Sequence, residues 1–238
     1  MSYIANPHPH LAQMVNGQPK VDFLAWFNKG WVIDDRHLLA NPSTPSLLVV
    51  KLLPEAATQP KINPRGVVHH TQGGTKKATN EQVWSLCSRD EWKSEPHVIG
   101  PEMATGRVLQ AIPFDTRADS NKDGNRWLHD GKWWGHLSIE TQDSGFANVP
   151  LKNDPWTLQQ LDVLAGIDTA ACATYGIRCG DMPAWNASGL APHNRWPQFT
   201  SSSHNCPGPA RTAQMDWLRG EVARRLGAYY AAVGEVCP

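Results

Sequence analysis

Between Gly189 and Pro209 the chain reads GLAPHNRWPQFTSSSHNCPGP, carrying two histidines and a cysteine, His193, His204 and Cys206, with little helical periodicity. A stretch this long without secondary structure of its own is usually functional or disordered. Imidazole nitrogen and thiolate sulfur are ligands that zinc prefers, and a catalytic zinc takes three protein ligands so that a fourth position stays open. The segment can supply two, and the third must come from elsewhere. The best upstream donors are the adjacent His69 and His70 in GVVHHTQGG. On residue types alone zinc stands level with a plainer reading. A histidine at a strand end is more often a hydrogen-bonded core residue, and a free cysteine is more often buried and inert.

The elements that must position these groups are short. Residues 65–70, RGVVHH, read as a strand, and neighbouring strand side chains point to opposite faces, so only one of the two histidines can be a ligand. GHLSIE (135–140) reads as a second strand, with Leu137 and Ile139 on one face and His136, Ser138 and Glu140 on the other. Glu140, at its C-terminal end, suits a general base, or equally the partner of an arginine. Further strands are expected over 46–53 and, around a turn at Thr105-Gly106, over 96–100 and 107–112. Residues 115–134 read as a polar surface excursion. One helix starts at Thr79 or Asn80, with Val83, Trp84 and Cys87 apolar. A second runs from Pro155 to Gly176 with a stripe of Leu158, Leu161, Val163, Leu164 and Ile167. A third spans 209–233, with Met215, Leu218, Val222 and Leu226 inward and its arginines outward. Strands interleaved with helices predict an α/β fold, a single domain with a central mixed β-sheet flanked by helices over 46–238. Residues 1–45 form an N-terminal extension of unclear structure, expected to pack on that domain.

Composition narrows the function. Lys plus Arg equals Asp plus Glu, 22 against 22, so no basic field exists to hold nucleic acid or an anionic membrane. No apolar run approaches the roughly 20 residues of a membrane helix, and the N-terminus lacks the basic and apolar regions of a secretory signal. The expected product is soluble and cytoplasmic. Five cysteines, an odd number with no CxxC pair, do not make a disulfide framework, although Cys172 and Cys179 could bridge if the helix ends between them. The 11 tryptophans outnumber the 4 tyrosines and 5 phenylalanines together, which suits sugar or peptide binding, though packing is the commoner role of any one indole.

HHT at a strand end, a strand ending in SIE, and a late loop of the form PH…W…H-x-CPG-x-x-R-x-x-Q together resemble the zinc-dependent N-acetylmuramoyl-L-alanine amidases of type 2. That family shares its fold with peptidoglycan recognition proteins and many phage endolysins. The resemblance runs from about Arg65 to Gln214 and takes in DTRADSN (115–121), PWT (155–157) and YGI (175–177). It implies one zinc per chain, held by His69, His193 and Cys206. His69 is preferred to His70 because the family's ligand follows directly on two apolar strand residues. It implies a catalytic carboxylate at Glu140, and an oxyanion-stabilising role for His204, where other members carry a lysine or a histidine. Two departures stand out: Pro96 occupies a position where some members use a tyrosine, and the twelve residues between His193 and Cys206 make a longer gap than in some members.

The activity implied is hydrolysis of the amide joining the lactyl group of N-acetylmuramic acid to L-alanine, with bacterial peptidoglycan as the partner and the chain acting as a monomer. His129, Trp133, Trp134 and Trp196 are the candidates to line a substrate groove. A non-catalytic peptidoglycan-binding module of the same fold, or a zinc peptidase cutting the stem peptide, are the alternatives. The absence of a signal suits a phage endolysin made in the host cytoplasm and delivered to the wall by a separate lysis protein. An exported bacterial enzyme with its signal removed, or an intracellular recycling amidase, would be the other settings.

Overall fold

A computed structural model describes residues 14–15, 18–19, 31–34, 36–40, 47–72, 77–89, 94–144, 154–200 and 205–233. In chain order the strands are β1 (Met14–Val15), β2 (Gln18–Pro19), β3 (Trp31–Asp34), β4 (His37–Ala40), β5 (Leu48–Val50), β6 (Asn63–Thr71), β7 (Val98–Ile99), β8 (Val108–Gln110), β9 (Trp127–His129), β10 (Lys132–Thr141) and β11 (Gly189–Pro192). The helices are α1 (Asn80–Ser88), α2 (Leu158–Tyr175) and α3 (Pro209–Val233).

Seven strands form one mixed sheet in the order β11-β6-β10-β7-β8-β5, with β9 paired to the start of β10. β6 runs parallel to both β10 and β11, and β7 is antiparallel to β8. Helices on both faces around a mixed sheet make the α/β domain that the residue pattern predicts. β6 lies between two partners and is buried on both faces, which suits its valines. Val67 joins Leu137, Ile139 and the α2 residues Leu161, Leu164 and Ile167 in the larger core. Val68 points the other way, into a smaller cluster with Met182, Ala191 and Phe199. α1 covers that second face further along the sheet, through Val83 and Cys87 against Ile99 and Leu109. Gly66 is what lets β11 approach: a Cβ there would lie 2.7 Å from the Gly189 carbonyl oxygen and 2.7 Å from His136 Nδ1.

The helices begin where side chains can satisfy their free N–H groups. Thr79 with Gln82 and Thr157 with Gln160 both form capping boxes. α2 therefore starts after Thr157 rather than at Pro155, and Leu158, expected in its apolar stripe, is 83% exposed. Gly176 ends the helix in the left-handed conformation that glycine adopts most readily. α3 spans the predicted 209–233, with Met215, Leu218, Val222 and Leu226 buried. Its arginines do not all face outward: Arg211 and Arg225 are buried. The segment after Gly189 also holds more structure than its composition suggests, with β11 and a 3₁₀ turn at His193–Arg195. Trp31, Ile33 and Leu38, from the leading 45 residues, pack into the larger core. Cys172 and Cys179 do not bridge each other. No helix among the described residues is long and apolar enough to cross a membrane.

Two fully buried histidines tie loops to the sheet. The His97 ring spans from Ser138 Oγ, 3.1 Å from Nδ1, to the Thr116 carbonyl, 2.8 Å from Nε2. His136 reaches the Trp185 carbonyl through Nε2 at 2.7 Å. Burial holds each pKa down at about 4, against the opposing pull of its carbonyl partner. The unfolded chain therefore binds more protons than the folded one between about pH 6.5 and 4. Stability from these neutral rings is complete above that window and lost as pH falls through it, on the order of 3 kcal/mol for each. The melting temperature should thus fall steeply from pH 6.5 to 4. His97→Gln should show a shallower fall across the same window, as followed by circular dichroism.

Candidate active site

β6, β10 and β11 run parallel, and their C-terminal ends bring the chemistry of the chain together. The register pairs Glu140 with His70 across β10 and β6. On the other side Pro192 pairs with His69, so His193, one residue on, arrives beside His70. The two imidazoles lie with centroids 4.1 Å apart. Cys206 reaches the same point from the turn before α3, its Sγ accepting the Thr71 N–H at 3.2 Å. Among the described residues, His70, His193 and Cys206 form the group able to hold a metal ion, with donor atoms all within 4.8 Å of one another and all three side chains buried.

Of the paired histidines, the structure brings His70 to the other two donors, not the expected His69. His69, preferred as a ligand on the strength of the two valines before it, shares the face of Val67 and points at α2. Its Nε2 lies 3.0 Å from Asp168 Oδ2, with both side chains fully buried. The angle falls outside hydrogen-bond geometry, so the contact is an ion-pair distance rather than a formed bond. The Trp156 ring stands edge-on to His69. Strand alternation alone sends His70 to the face carrying Ser138 and Glu140.

The donor set suits zinc on chemical grounds. His193 Nε2 lies 2.7 Å from the Phe199 carbonyl. A carbonyl only accepts, so Nε2 carries the hydrogen and Nδ1 holds the lone pair of the neutral ring. His70 Nε2 is engaged by Asn121 Oδ1 at 2.8 Å. Two imidazoles and a thiolate make an N/N/S set of the kind zinc takes. Glu140 stands beside it, 4% exposed, with Oε2 at 3.7 Å from His70 Nδ1.

Three of the expected groove residues lie elsewhere. Trp133 and Trp134 begin β10 and His129 ends β9, at the far end of the sheet from Glu140. Glu140 is seven steps along the strand from Trp133, roughly 23 Å at about 3.3 Å per residue. There Arg126 covers the Trp133 ring at 3.7 Å and Arg65 the Trp134 ring at 4.8 Å. Trp196 packs against the cluster of Val68, Met182, Ala191 and Phe199. His204 lies outside the described residues.

Residues that the motifs did not single out for a role hold the site in place. Arg211, 1% exposed, donates to Thr71 Oγ1 at 2.8 Å, to the Gln142 carbonyl at 2.9 Å and to the Asp154 carbonyl at 3.0 Å. Burial lowers its pKa, while Asp143, Asp154, Cys206 and Glu140 oppose that shift. On the same face a cleft of about 480 Å³ is lined by Glu55, Gln59, Cys87, Glu95 and Asp119. Burial, with Glu95, Glu140 and Glu55 nearby, pushes the Cys87 thiol up to about 12. It stays protonated at neutral pH and is no nucleophile.

The comparisons with known proteins agree with this architecture. No protein-family model and no curated protein matches the sequence. Solved structures of N-acetylmuramoyl-L-alanine amidases share the fold. The endolysin amidase LysCS from Clostridium intestinale superposes with a TM-score of 0.51 at 13% identity, over 74% of this chain and 95% of its own. The hydrolase AmiA from Staphylococcus aureus, solved with its ligand, gives 0.54 at 12% identity, over 80% of this chain and 87% of its own. The chain therefore has the amidase fold.

Arg211→Met should cost about 3–5 kcal/mol in urea unfolding, since it strands the acceptors and the acidic neighbours around that guanidinium. Arg211→Lys should recover only part, because an ammonium cannot reproduce the planar fork.

Proposed function

We propose that this chain is a zinc-dependent N-acetylmuramoyl-L-alanine amidase that cuts bacterial peptidoglycan between the lactyl group of muramic acid and L-alanine. The observation that carries the reading is the buried His70, His193 and Cys206 cluster, with Glu140 beside it, at the strand ends of an amidase fold. The ligand set is thus His70, His193 and Cys206, in place of the set with His69. The lytic setting of an endolysin, acting on the wall from which the substrate is drawn, is part of the same proposal.

Zinc, when bound, supplies Lewis acidity for the scissile carbonyl and makes water a usable nucleophile near neutral pH. The remaining work belongs to the chain. Glu140 takes the proton of the attacking water and returns it to the leaving amide nitrogen, so that L-alanine departs as a free amine. Its position on β10 next to β6 fixes it relative to His70 without a flexible loop. Thr71 N–H steadies the Cys206 sulfur. His204, two residues before Cys206, is assigned to the developing oxyanion.

Glu140→Gln keeps size and hydrogen bonding but removes the base. Turbidity clearing of a wall suspension should slow by roughly 100- to 10,000-fold, the range of general acid–base catalysis, with zinc content and melting temperature unchanged. Wild-type clearing by that variant would remove Glu140 from the mechanism. In parallel, His70→Ala should lose bound zinc while His69→Ala keeps it and instead lowers the melting temperature. The reverse pattern in metal analysis would restore His69 as the ligand.

A further inference from the structure

Asn121 is fully buried, and every polar group on it is committed. Its backbone N–H donates to Asn125 Oδ1 at 2.6 Å, and its carbonyl accepts from Gly124 N–H at 2.8 Å. Its Nδ2 donates to the His136 carbonyl on β10 at 3.1 Å. That last contact settles which way the amide points, because a carbonyl oxygen can only accept and so must face the NH₂ end. The other end, Oδ1, then faces His70 Nε2 at 2.8 Å. An amide oxygen also only accepts, so Nε2 of His70 must carry the ring hydrogen. The ring's lone pair is then on Nδ1, the nitrogen turned toward Glu140.

Resting on the amidase reading, we infer that Asn121 is the positioning residue for metal binding: it fixes the tautomer and ring plane of His70 so that Nδ1 is presented to the ion. It does for His70 what the Phe199 carbonyl does for His193. The difference is that Asn121 is a side chain and can be exchanged. Partners of this kind typically contribute 10- to 100-fold in metal affinity when removed.

A plain structural role makes a different forecast. If Asn121 only braces the turn at Lys122–Asn125 against β10, the group that counts is Nδ2, donating to His136. If it orients His70, the group that counts is Oδ1. Asn121→Ala removes both, whereas Asn121→Asp loses the donor and keeps the acceptor. Zinc affinity would be measured by competition with a chromophoric chelator for wild type, Asn121→Ala and Asn121→Asp. Metal-free melts of each would run alongside. The expected result is a weakening on the order of 10- to 100-fold for Asn121→Ala, with Asn121→Asp within a few-fold of wild type despite any loss in melting temperature. Affinity lost equally in both variants, in step with the melting temperature, makes Asn121 a brace and overturns the inference. So does an Asn121→Ala variant that binds zinc like wild type. A wild-type chain that fails to take up zinc at all removes the amidase reading itself, and this inference with it.

Discussion

The period-two alternation of β6, held between two parallel neighbours, is the constraint on which the site depends. A strand buried on both faces must send successive side chains into different environments. Val67 and His69 enter the core under α2, while Val68 and His70 enter the opposite face. The same parity on β10 places Ser138 and Glu140 with His70 and leaves Leu137 and Ile139 to α2. Parallel pairing then aligns three strand ends, so residues from positions 70, 140 and 193 meet with no long loop to order. Only Cys206 must be delivered by irregular chain.

That delivery is organised by hydrogen bonds rather than by apolar packing. Arg211, on the first turn of α3, binds the end of β6 through Thr71 and the chain after β10 through Gln142. Thr71 in turn offers its N–H to Cys206 and its hydroxyl to Asp143. Gln160 of α2 donates to the carbonyls of Pro101 and Gln142, and Trp156 donates to Thr141 Oγ1. Each of these groups is buried, so an unmade bond would cost more than a made one contributes. The network is therefore all-or-none: it fixes where α3 begins, and hence where Cys206 stands.

Much of this was legible before any coordinates. The alternation in GHLSIE, the β-branched run before His69, the cap at Thr79, and the length of α3 are local signals, and local signals survive folding. The inward arginines were not legible, because an arginine in a helix reads as solvated until its acceptors on other strands are known. β11 was hidden for a related reason. GLAP has no alternation of its own, and it becomes a strand only because Gly66 lets it lie against β6. Trp133 and Trp134 read as the end of a surface excursion but already belong to β10, because the polar, glycine-bearing composition around them hides the pairing of β9 with β10. Asn121 and His70 are 51 residues apart, a contact with no sequence period.

That the structure brings His70 rather than the expected His69 to the other two donors has its own physical cause. VVHH is nearly symmetric to a one-residue slip: either register places one valine and one histidine on each face. Neither hydrophobicity nor ligand type can separate the two, whereas most strands would bury a polar face on slipping. The groups flanking the doublet break the tie. Gly66 is the residue that can sit against the Gly189 carbonyl and His136, and a slip would put Arg65 or Val67 there. Thr71 must present its N–H to Cys206 and its hydroxyl to Arg211 and Asp143. Asp168, fully buried on α2, needs a histidine opposite it in whichever register forms, and it finds His69. A buried ion-pair contact of this kind adds little net stability over an apolar pair, but removing either half leaves the other stranded. His69, the first histidine of the doublet, thus has a place of its own in the structure: it faces the α2 carboxylate, one residue from the His70 cluster and on the opposite face of the sheet.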